Sequence, residues 1–107
     1  MKSIAIASIL AVSMTAQAEF MDGNKLLSEM NGNFGNQMSA LGYVSGVTDT
    51  LMGVTVCPPS TITVGQVHDM TKKYLEQFPA DRHNSADRII GFILKSSWPC
   101  AKKGNGV

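Results

Sequence analysis

The chain is poor in the residues from which catalytic and metal centres are built. Its 107 residues include two histidines and two cysteines, with no CxxC pair, no HExxH, no calcium loop and no phosphate-binding glycine loop. Two lone cysteines without CxxC spacing and only two histidines do not make a zinc motif, so neither a metal nor a cofactor is expected. Serines are numerous, but none sits in a Gly-x-Ser-x-Gly elbow. His68 and His83 have no evident carboxylate-plus-nucleophile set beside them, which points away from an enzyme. An excess of charge of one sign is missing too: nine Lys and Arg face eight Asp and Glu. Without a basic stripe, nucleic acid and anionic membrane surfaces are poor partners.

Long hydrophobic runs are also lacking. Ile4 to Val12 is the one apolar stretch, well short of the roughly 20 residues that span a bilayer. Lys2 precedes it and Ala16-Gln17-Ala18 follows, the small-x-small form cut by signal peptidase. Residues 1–18 therefore read as a signal peptide cleaved after Ala18. Residues 19–107 (107 minus 18 leaves 89) then form a single domain, with eight basic residues against eight acidic ones once Lys2 is removed. Export gives the even cysteine count a meaning. In an oxidising compartment Cys57 and Cys100 have only each other, and closing a loop of about 44 residues stabilises by roughly 4 kcal/mol.

What the sequence does contain is helical periodicity in four segments. Gly23 to Met30 places Leu26, Leu27 and Met30 at helical spacing behind a possible Asp22 cap, and Asn31-Gly32-Asn33 ends it. A second helix runs from about Phe34 to Val54, with Phe34, Met38, Leu41, Thr48 and Met52 predicted to cluster on its apolar face and Val44 and Leu51 extending the arc. Val54-Thr55-Val56 reads as extended, before Pro58-Pro59. Thr63 with Gln66 forms a capping box for a third helix, whose apolar face is Val64, Val67, Met70, Thr71, Tyr74, Leu75 and Phe78 and which Pro79 stops. Asp69 and Lys73 on its polar face are spaced as a favourable pair. The polar connection Pro79 to Ser85 leads into a fourth helix with Ala86, Ile89, Ile90, Ile93 and Leu94 on one side. Phe92 lies off that arc, either covered by another segment or exposed. The fold class expected is all-α, a small four-helix domain with one disulfide between the ends of its second and fourth helices.

The second helix carries a stripe of Gly35, Gly42, Gly46 and Gly53. Each interior glycine costs about 1 kcal/mol relative to alanine, so the stripe needs a reason. Close approach of another helix is the plain one; a ligand cleft is the alternative. Asp49, beside the stripe, reads as a structural carboxylate bonded to a neighbouring backbone or hydroxyl group.

Leu41-Gly42-Tyr43-Val44-Ser45-Gly46-Val47-Thr48-Asp49, Cys57-Pro58, Thr63-Val64-Gly65-Gln66, Tyr74-Leu75, Pro79, His83-Asn84-Ser85-Ala86 and Trp98-Pro99-Cys100 follow one another in an order and spacing that resembles the Tai-like immunity family. These are small, periplasmic, all-helical proteins associated with type VI secretion. They bind a peptidoglycan-cleaving amidase effector, occlude its active-site cleft, and are often dimeric. The resemblance implies an inhibitor, open to forming a homodimer. It places the contact surface on Asp81, Arg82 and His83 together with Lys72, Lys73 and Glu76 of the third helix. The family pattern has a second cysteine pair; Met30 and Ala40 stand at those positions, marking a divergent member. Two other classes fit a small exported helical protein with one disulfide: a periplasmic chaperone or stress protein, and a small-ligand carrier using the Gly42 to Gly53 groove.

Overall fold

Asp22 starts the fold by accepting the backbone N–H of Lys25 at 2.8 Å, and α1 (Gly23–Met30) follows. The computed structural model describes residues 20–101, so the signal peptide read at residues 1–18 lies outside the described residues. After α1 come α2 (Phe34–Leu51), α3 (Val64–Gln77), a 3-10 turn (Pro79–Asp81) and α4 (Ala86–Ser97). Among the described residues there is no strand, only the isolated bridges Asp22 to Ser85, Met52 to Val56 and Val56 to Pro99. The fold is thus all-α, and Cys57 and Cys100 are joined as a disulfide with their Cα atoms 4.8 Å apart.

Local signals explain each start. The Asn33 side chain accepts Asn36 N–H at 2.9 Å to open α2. At α3, Gln66 N–H donates to Thr63 Oγ1 at 3.1 Å and Thr63 N–H donates to Gln66 Oε1 at 2.8 Å, completing the capping box. Ser85 makes no side-chain bond at the head of α4, where Asp87 instead places a negative charge on the positive end of the helix.

The core is where the four helices meet. Leu26, Val44, Val56, Val67, Leu75, Ile90 and Leu94 are fully buried there, each contributing about 1.5–3 kcal/mol by leaving water. Thr48 and Thr71, also buried, donate their hydroxyls to the carbonyls one turn back, at 2.7 and 2.8 Å. Met30 and Ala40 both belong to this core.

Four expectations change. The buried face of α2 is Ala40, Val44 and Thr48 with half-buried Val47 and Leu51; Phe34, Met38 and Met52 face solvent. Large side chains drew the predicted arc, whereas the helix buries its smaller ones. Next, α2 ends at Leu51 and not Val54: Gly53 takes a φ of 77°, the left-handed region, and residues 53–55 turn the chain so that Val56 N–H reaches Leu51 O. Finally, Val64 and Phe78 at the two ends of α3 are exposed, because the core spans only its middle turns. Asp69 meets not Lys73 but His68, whose Nδ1–H donates to its carboxylate at 3.2 Å.

Candidate functional site

The connection between α3 and α4 is tied down at every residue. Within it, Arg82 N–H donates to Pro79 O and Asn84 N–H to Asp81 O. The side chains turn the same way. Arg82 Nε donates to Leu75 O at 2.6 Å, satisfying a carbonyl that the end of α3 leaves unpaired. Asp81 accepts the Tyr74 hydroxyl at 2.6 Å, and His83 Nδ1–H donates to Ala80 O at 2.8 Å. From the other side the head of α1 is sewn on, through Gly23 N–H to Asn84 O, Asn24 N–H to Arg82 O and Ala86 N–H to Met21 O.

Of the six residues expected to meet a partner, Asp81 and Arg82 are half-buried and hydrogen-bonded, while His83 is exposed. Lys73 and Glu76 are exposed and Lys72 half-buried on the outer side of α3. The structure places Asp81, Arg82 and His83 in succession on the connection, and Lys72, Lys73 and Glu76 on α3 before it.

Beside the connection lies a feature that sequence reasoning missed. Phe78, Tyr74 and Phe92 form a row of rings across α3 and α4, with centroids 4.7 and 6.0 Å apart. Tyr74 and Phe92 wall an open cleft of about 420 Å³ that Asp81, Asn84, Arg88 and Ile89 also line. The hydrogen bond to Asp81 pushes the Tyr74 phenol above its ordinary range, with burial and the nearby carboxylate charge adding to it. Phe92, off the apolar arc of its helix, was the one sequence signal of this cleft; Tyr74 and Phe78 looked like core.

The glycine stripe is open. A methyl added at Gly42 or Gly46 would meet nothing within 4 Å, so among the described residues no other helix lies over them. They edge a hollow of about 400 Å³ that also touches Tyr43 and Asp87. Burial pushes the Tyr43 phenol up, with the charge of Asp87 adding to it and a backbone hydrogen bond at Asp87 opposing. Asp49 is exposed on the rim of a smaller hollow with Ser45 and Thr63, and no hydrogen bond to its carboxylate is found among the described residues. Trp98 is half-buried against the core, and its carbonyl accepts Cys57 N–H at 2.8 Å beside the disulfide.

Among the described residues no three His, Cys, Asp or Glu converge as a metal set, and no helix is long and apolar enough to cross a membrane. The arrangement offers surfaces for binding. A family model described as Rap1a immunity proteins matches residues 22–100. No curated protein matches the chain significantly.

Proposed function

Since the chain belongs to the Rap1a immunity proteins, we propose that it is a periplasmic type VI secretion immunity protein that binds a peptidoglycan amidase effector and occludes its active-site cleft. The observation that carries this reading is the extent of the match, from the cap of α1 to the second sulfur, which is nearly the whole described fold. Family membership supports an immunity protein with a protein effector as partner, and with the disulfide it supports an exported protein. The amidase rests on the narrower resemblance of the Leu41-to-Asp49 segment and the Cys57-Pro58 to Trp98-Pro99-Cys100 frame to the Tai-like proteins.

Inhibition on this reading is steric and needs no chemistry from the chain. Asp81, Arg82 and His83 would be presented to the effector on a connection already fixed by its own hydrogen bonds, so little ordering entropy is lost on binding. Lys72, Lys73 and Glu76 would extend the contact along α3. A homodimer would use the open face of α2, where Gly42 and Gly46 lie beside exposed Phe34, Met38 and Met52.

The test is co-expression of this chain with a panel of periplasm-directed amidase effectors, scoring lysis. At least one effector should be neutralised, and should co-purify with the chain. If every amidase still lyses its host and none binds, the amidase assignment fails; neutralisation of an effector with a different activity would keep the immunity role and replace the target.

A further inference from the structure

We propose that the aromatic cleft between α3 and α4, bounded by Tyr74 and Phe92 and edged by Arg88, is the anchor site that receives an apolar side chain of the effector next to an effector carboxylate. This rests on the effector-binding reading above and says where, and by what chemistry, the effector is held.

The rings are the first argument. An aromatic side chain can bury 150–250 Å² and would ordinarily be covered. Phe92 is 60% exposed and Phe78 48% exposed, yet they flank half-buried Tyr74 in one continuous row. Phe34 is more exposed, at 74%, but among the described residues it joins neither ring pair and lines none of the three hollows. The cleft is concave, and at about 420 Å³ it can accept one or two partner side chains.

Preorganisation is the second. Tyr74 is fixed by its 2.6 Å bond to Asp81, and Asp81 sits on the connection that Arg82 fastens to Leu75 O. The Tyr74 wall is therefore already ordered when a partner arrives.

Charge is the third, and it selects the occupant. Arg88 lies one helical turn before Phe92 on α4 and lines the cleft. It is exposed and forms no ion pair among the described residues. The one carboxylate in the lining, Asp81, already accepts the Tyr74 hydroxyl. The rim therefore offers a guanidinium in need of an anion beside apolar walls, and Tyr and Arg are both enriched at interface hot spots. A partner surface with Leu, Ile or Phe adjacent to Asp or Glu answers both halves.

Calorimetric titration with the effector neutralised in the lysis screen tests this. Phe92→Ala should weaken Kd by about 30-fold or more and Arg88→Glu by about 10-fold or more, while Phe34→Ala stays within about twofold. Circular dichroism melts should show all three variants as stable as the parent to within a few degrees, since each side chain is exposed. Replacing the contacted effector carboxylate with Lys should recover binding to Arg88→Glu. If the parent binds and both cleft variants bind equally tightly, the anchor lies elsewhere while the immunity reading stands. If no effector binds the parent, that reading fails first and the anchor with it. A parent that is dimeric by sedimentation and made monomeric by Phe92→Ala, with effector affinity unchanged, would make the cleft a copy-to-copy contact and overturn the proposal.

Discussion

A methyl group at Gly23 would lie 2.9 Å from the Arg82 carbonyl, from Ile89 Cδ1 and from Leu75 Cδ2. Two of those atoms are core side chains and the third is backbone, so little can give. Gly23→Ala should destabilise the protein by roughly 1–3 kcal/mol, read as a lower urea midpoint at unchanged slope. Gly46→Ala should act in the opposite direction. Its added methyl enters open space in mid-helix and should raise monomer stability by up to about 1 kcal/mol, while weakening any association of copies through α2. Both glycines were visible in the sequence, but only the structure separates them. What crowds Gly23 comes from residues 52 to 66 positions away, whereas nothing among the described residues crowds Gly46. No local pattern encodes that difference.

Among the elements, α3 was the most legible because its start is written in adjacent residues. Thr63→Ala removes the acceptor for Gln66 N–H and should cost about 1 kcal/mol, measured by thermal or urea unfolding. Helix α2 was read less well: its length was nearly right, but the face it buries is set by α1, α3 and α4, which claimed Ala40, Val44 and Thr48 and left the methionines outside. The link between α3 and the connection makes a pH prediction. The fold favours the protonated Tyr74 phenol, because its O–H donates to Asp81, so its pKa is raised above the unfolded value. That contribution is complete below the unfolded phenol value of about 10 and is lost as pH rises through the higher folded value. Relative to Tyr74→Phe, the parent should be more stable at neutral pH, and the advantage should shrink above about pH 10 in urea unfolding series.

For the whole molecule, four helices and one sulfur pair could be read from composition, capping residues and periodicity, because each is a property of neighbours in sequence. The aromatic cleft could not, since its two walls come from α3 and α4 and exist only once those helices have docked. Replacing both Cys57 and Cys100 with Ser should lower stability by about 2–4 kcal/mol, seen as a fall in Tm, and the chain's one Trp, Trp98, next to Cys100 in the bridged frame, should report the loosening by fluorescence.

The bridge also decides how the protein meets force. A tug on the tail beyond Cys100 is handed across the sulfurs to Cys57, so residues 57–100 remain a closed ring and only the stretch ahead of Cys57 can unspool. A proteolytic machine that threads its victims tail-first would face a double thickness of chain at its first bite, and mechanical work alone would not open it until a reductant cut the ring.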